Sequence, residues 1–172
     1  HLDFHIRMNS NQKKYEENTY KFLEQLLPEE KGEVLVIAGD ISHYNIQSYF
    51  ALKFFSEQYD KVYFVTGNHD YYLVSGEQEK KYKKNSKNRE FELLCMISTL
   101  DNVVYLNNYT VHEHNGVTFA GDTNWYPLQD IHEKSFFYNV SNDSKLIRGM
   151  LIEELSQHQH YQYDQLDALD VL

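Results

Sequence analysis

Apolar positions fall into two continuous blocks, with helically spaced residues before and between them. Val34-Leu35-Val36-Ile37-Ala38 and Val62-Tyr63-Phe64-Val65-Thr66 are short runs rich in β-branched and aromatic residues. Runs of this kind read as buried strands of a largely parallel sheet. From about Asn11 to Leu27, Tyr15, Thr19, Phe22, Leu23, Leu26 and Leu27 share one helical face, and Pro28 and Gly32 close it. A second helix from about Ile46 to Tyr59 turns Ile46, Tyr49, Phe50, Phe54 and Phe55 inward. Strand, helix and strand joined by short links make a βαβ unit with a right-handed crossover.

The pattern changes over Gly76 to Arg89, a polar run containing Lys80, Lys81, Lys83 and Lys84. A solvated helix or loop is the expected reading; the sharper one is a basic lid guiding a phosphorylated substrate. Helix resumes from about Glu90 to Leu100, with Phe91, Leu94, Cys95 and Ile97 on a buried face, and Val103 to Leu106 follows as a strand. Asn115-Gly116 between Val111–His114 and Val117–Ala120 predicts a type I′ hairpin. His112 and His114 share one face of it, beside the turn and toward solvent. Phe136-Phe137-Tyr138 reads as irregular, and a helix is expected from about Ser144 to His158. The His-x-His at His158 and His160 reads as a solvated helix end.

The 172 residues fit a single domain over 1–172, large enough to bury a core. A formal net charge of -10 argues against non-specific polyanion binding over the whole surface, although bound cations would reverse the field locally. The single Cys95 excludes an internal disulfide and a cysteine-rich zinc site. No stretch is long and apolar enough to span a bilayer, so the sequence reading is a cytoplasmic protein with no membrane partner. His1-Leu2-Asp3-Phe4-His5 opens without a preceding strand, and Leu169-Asp170-Val171-Leu172 looks like a turn entering a strand. The expectation is therefore a domain seen in part, lacking its first strand and last third.

Chemistry concentrates at the two strand ends. Gly39-Asp40 follows the first apolar block and Gly67-Asn68-His69-Asp70 the second. Ligands of open α/β sheets gather beyond the carboxyl ends of such strands. A carboxylate, a carboxamide and an imidazole on one rim form a donor set for Mn, Fe or Zn. Asp40 can bridge two cations about 3.5–4 Å apart. Asn68 supplies a neutral oxygen, and His69 suits a proton donor or phosphate contact. Gly39 and Gly67 leave room for a tight backbone turn beneath the ions.

With these residues in this order, the chain resembles the calcineurin-like metallophosphoesterases. That family carries Asp-x-His, Gly-Asp and Gly-Asn-His-Asp/Glu after successive strands. Val36–Ser42 and Val65–Asp70 match the second and third motifs, and Ala120–Trp125 resembles a glycine-rich strand end of bacterial members. His1-Leu2-Asp3-Phe4 resembles the residues from the first-motif His onward, with Asp3-Phe4-His5 as the runner-up register.

The resemblance implies an α/β fold: a four-layer sandwich of two mixed sheets flanked by helices, incomplete at both ends. It implies His1, Asp40 and Asn68 as ligands of two divalent ions, and His69 and Asp70 as catalytic residues, with Asp70 orienting His69. The implied activity is hydrolysis of a small phosphomonoester or phosphodiester by hydroxide activated between the two metals. The missing ligands imply weak metal binding and poor turnover for this segment alone. Two other readings stand beside it: a non-catalytic scaffold of the same fold, which would not need these residue types, and a DNA-end nuclease subunit, which the acidic balance disfavours. Substrate identity, the choice of metal and the oligomeric state carry no readable code.

Overall fold

The computed structural model describes residues 1–123 and 130–150. Their fold is α/β, with one parallel and one antiparallel sheet flanked by helices. Helix α1 (Gln12–Glu24) begins where the Asn11 side chain accepts the Lys14 N–H, a common way to satisfy a free first-turn donor. It buries Tyr15, Thr19 and Leu23. The helix stops three residues before the expected Leu27, and Leu26 is exposed.

Strands β1 (Val34–Ala38), β2 (Lys61–Val65) and β3 (Val103–Tyr105) form the parallel sheet in that order. Val34 pairs with Lys61 and Ala38 with Val65, so β1 and β2 end level with one another. That register sets the following loops, 39–43 and 66–72, side by side. The central strand β2 is buried at Val62, Tyr63 and Phe64. Strand β1 departs from the expected buried strand: it is an edge of the described sheet, and Val36 is 57% exposed.

Helix α2 (Asn45–Ser56) connects β1 to β2 and packs between α1, α4 and the sheet. Its burial is broader than one stripe, taking in Gln47, Ser48, Ala51 and Leu52 as well as Phe50 and Phe54. A helix hydrophobic or buried on most sides belongs to the interior.

The polar segment after β2 folds into α3 (Gly76–Lys81) and α4 (Ser86–Ile97), so helix starts four residues earlier than expected. The buried positions of α4 are Ser86, Arg89, Leu93 and Ile97. The spacing from Arg89 through Leu93 to Ile97 defines the inward stripe. That stripe overturns the expected burial of Cys95: the thiol is exposed and Phe91 is 68% exposed.

The hairpin of β4 (His112–His114) and β5 (Val117–Phe119) is antiparallel, with His112 opposite Phe119. Asn115 and Gly116 have φ of 51° and 77°, the left-handed pair a type I′ turn requires. The expected irregular stretch at Phe136-Phe137-Tyr138 is instead helix α5 (Ile131–Val140), started by Asp130 accepting from the His132 and Glu133 N–H groups. A short helix α6 (Asp143–Leu146) follows. Asn124, Trp125 and the histidines at 158 and 160 lie outside the described residues, as does most of the helix expected to His158. Among the described residues no helix is long and apolar enough to cross a membrane.

Candidate metal centre

The loops after β1 and β2 touch backbone to backbone. A Cβ on Gly39, which has φ +79°, would lie 2.4 Å from the Gly67 nitrogen. A Cβ on Gly67 would lie 2.1 Å from Asp40 Oδ1. Real atoms do not approach so closely, so both positions require glycine on steric grounds. Asp40 itself has φ 58°, a left-handed conformation that is strained in most residues and recurs at functional sites.

Hydrogen bonds hold that conformation. Asp70 Oδ2 accepts the Asp40 N–H at 2.7 Å and the Gly67 N–H at 2.8 Å, while Asp40 Oδ1 accepts the His69 N–H at 3.1 Å. Asp70 was expected to orient His69. Its carboxylate instead ties the two loops together through their backbones, because the 3-10 turn at Asn68–Tyr71 aims it back at Gly67. Burial pushes the Asp70 carboxyl above its ordinary range, and the two N–H donors and Arg89 oppose that push.

Beneath both loops lies Arg89, 1% exposed. Its guanidinium donates to the carbonyls of His69 (2.9 Å) and Tyr72 (2.7 Å) on one loop and Ser42 (2.7 Å) on the other. Nε donates to Asn45 Oδ1 at 3.1 Å. A planar fork with five donors is suited to gathering divergent carbonyls in this way.

Four rings and one carboxylate face one another at the rim. His1 Nε2 lies 3.9 Å from Asp40 Oδ2. His1, His43 and His69 offer ring nitrogens all within 4.8 Å of one another. His43 Nε2 is 2.9 Å from His69 Nδ1, and Asp3 holds the far side of His43, with Oδ2 2.7 Å from Nδ1 and Oδ1 accepting the His43 N–H at 3.0 Å. Tyr72 stacks on His69 with centroids 4.3 Å apart. Burial lowers the His69 imidazole below its usual value, with Asp40 acting against it and His43 with it. Burial would raise the Asp3 carboxyl, but the hydrogen bonds from the His43 backbone and ring outweigh it and leave Asp3 below the carboxylate range.

Asn68 is placed differently from Asp40. Its Nδ2 donates to Asp143 Oδ1 at 2.8 Å and to the Tyr72 hydroxyl at 3.2 Å, and that hydroxyl also donates to Asp143. With the amide nitrogen so engaged, the oxygen is left to serve as the acceptor for a cation. His5 of the alternative register stacks on Phe22, 4.9 Å away, whereas His1 is the histidine beside Asp40. His112 stands apart from this cluster, its ring 6.1 Å from that of Tyr63.

These residues fit a divalent cation. His1 Nδ1 and Asp70 Oδ1 are buried polar atoms without a hydrogen-bond partner, and such atoms need an explanation such as an ion or water. The donors are carboxylate oxygen, amide oxygen and imidazole nitrogen, the types that Mn, Fe and Zn accept.

Sequence reasoning passed over His43, Arg89, Tyr72 and Asp143. His43 had one available signal: it lies three residues beyond Asp40 in the same loop. Arg89 had another, as the arginine in a lysine-based run, in helical register with Leu93 and Ile97.

A family model described as calcineurin-like phosphoesterase matches residues 3–169. Among curated proteins, an uncharacterized protein of Acanthamoeba polyphaga mimivirus is 29% identical over 118 residues, which cover 66% of this chain and 39% of the viral protein. The chain thus spans about two fifths of the length of that relative. No solved structure matches it.

Proposed function

We propose, for a chain that belongs to the calcineurin-like phosphoesterase family, that its site hydrolyses a small phosphomonoester or phosphodiester with the help of two divalent cations. One observation carries the reading: level strand ends bring Asp40 and His69 together beside His1, whose Nδ1 is buried without a partner. In this reading Asp40, His1 and Asn68 are the residues that would hold the ions. Bound cations of this type supply an activated water at neutral pH and offset phosphoryl charge.

The remaining work falls to the chain itself. His69 contacts or protonates the leaving oxygen, and its ring stacks on Tyr72 and meets that of His1 at a tilt. Asp143 and Tyr72 fix the Asn68 amide so that its oxygen is available. Asp70 and Arg89 keep the two loops at one separation. Mn, Fe and Zn all suit the donor set, and a cytoplasmic setting with free Mn is the one we favour.

Part of the basic run invoked for the nuclease alternative is engaged within the chain, while Lys80, Lys83 and Lys84 are exposed. Lys81 pairs with Glu92 at 2.8 Å, Lys87 with Glu90 at 2.9 Å, and Arg89 is buried, so less free charge remains for a nucleic-acid backbone. The test is Mn-dependent hydrolysis of p-nitrophenyl and bis-p-nitrophenyl phosphate by the full-length protein. Asp40→Asn and His69→Ala are each expected to lower kcat/KM about 100-fold or more. Unchanged activity in both variants removes the assigned roles, and a wild type that neither takes up Mn nor hydrolyses either ester returns the chain to the scaffold reading.

A further inference from the structure

We infer that Asp3 and His43 are positioning residues that fix the ring orientation and the tautomer of His69. The inference rests on the reading of His69 given above and adds two residues to it. His69 is fixed in the backbone by Asp40, which accepts its N–H, and by Arg89, which donates to its carbonyl. Its ring stacks on Tyr72 and meets His1 at a tilt, at centroid distances of 4.3 and 4.1 Å. Neither ring contact pins a nitrogen of His69, so both tolerate a half-turn of the imidazole about its own axis. Only an edge contact distinguishes the two orientations. That contact is His43 Nε2, 2.9 Å from His69 Nδ1.

Asp3 determines what His43 offers. A carboxylate only accepts, and Asp3 turns both of its oxygens to His43, one to the backbone N–H and one to the ring. The His43 proton therefore resides on Nδ1, 2.7 Å from Asp3 Oδ2. In neutral His43, Nε2 is then an acceptor, so His69 keeps one proton on Nδ1 and leaves Nε2 to receive the proton that it would pass to the leaving oxygen. The hydrogen bond on one ring nitrogen sets the state of the other. The chain Asp3–His43–His69 thus transmits one choice across two rings. Asp3 also accepts the His43 N–H at 3.0 Å, which keeps the His43 backbone in place independently of the ring contact.

Asp3→Asn inverts the choice with little change of shape. The asparagine oxygen still accepts the His43 N–H, while its amide nitrogen donates to His43 Nδ1. His43 then donates from Nε2, and His69 is forced to carry its proton on Nε2 with Nδ1 occupied as an acceptor, so the ring cannot hold the second proton that would make Nε2–H an effective acid. The experiment is nitrogen NMR of the histidine rings in the zinc-loaded full-length protein, wild type and Asp3→Asn, with kinetics on bis-p-nitrophenyl phosphate and thermal unfolding alongside. The expected result is a protonated Nδ1 on His69 in the wild type and a protonated Nε2 in the variant. A fall in kcat of about 100-fold or more is expected with KM within about threefold, as when a buried carboxylate partner is neutralised beside a catalytic histidine. His43→Gln, which keeps an acceptor near His69 Nδ1, is expected to retain more kcat than His43→Phe. An unchanged His69 tautomer, or zinc bound through His69 Nδ1, overturns the inference. Inversion of the tautomer in a protein with no phosphoesterase activity supports the inference while refuting the proposed reaction.

Discussion

Arg89→Met tests whether the site is held from below. Methionine fills much of the same space but donates nothing, so the carbonyls of Ser42, His69 and Tyr72 and the side-chain oxygen of Asn45 lose their donor. At about 1 kcal/mol for each of four hydrogen bonds the loss is about 4 kcal/mol. Arg89 also attracts the buried Asp70 carboxyl without pairing with it. The hydrogen-bond loss alone is a large share of the roughly 5–15 kcal/mol that holds a domain together. Urea unfolding is expected to show a lower midpoint at unchanged slope, and melting a fall of about 6–20 °C. Arg89→Lys separates charge from geometry: an ammonium retains attraction to Asp70 but cannot serve carbonyls on both loops, so about half the loss should remain. A loss below about 1 kcal/mol for the methionine variant refutes the reasoning, because the fork would then be dispensable.

Four further outcomes are expected. Gly39→Ala and Gly116→Ala share a positive φ, but only the former meets neighbouring backbone; Gly116→Ala should cost about 1–2 kcal/mol by unfolding and Gly39→Ala clearly more. Mn or Zn at about 100 times its Kd should stabilise the wild type by about 2.7 kcal/mol, read as a melting shift that EDTA reverses and Asp40→Asn abolishes. Because the Asp3 carboxyl sits lower in the folded than in the unfolded chain, its contribution is complete above its unfolded value near pH 4 and is lost as pH falls through the lower folded value; acid unfolding of Asp3→Asn should lack that component. Cys95→Ser should change stability by less than about 0.5 kcal/mol, and the native thiol should react with a maleimide without unfolding.

What could be read along the chain was whatever is decided locally. The strands β1 and β2, the Asn115-Gly116 turn and the motif order all follow from neighbouring residues. Burial around α4 was misread because Phe91 and Cys95 look like core residues, whereas a buried arginine defines the inward face. The helix at Ile131–Val140 was missed although Asp130 gives it a regular start. His43 and Asp143 reach the site through contacts with residues 26 and 75 positions away, and no periodicity encodes pairings of that range. Asp70 shows the same limit from the other side: the motif marked the residue, but only the fold revealed that it grips two backbones and leaves the imidazole to His43.

The contact between Gly39 and Gly67 leaves the two loops no slack. Neither residue can be exchanged for a larger one, and neither loop can back away without losing the shared Asp70 carboxylate. The floor of the site is therefore invariant in width, whatever molecule it serves. Any adaptation toward a bulkier or differently shaped substrate has to be made outside those backbones, as at the exposed Phe4, whose ring meets His1 and His43 edge-on.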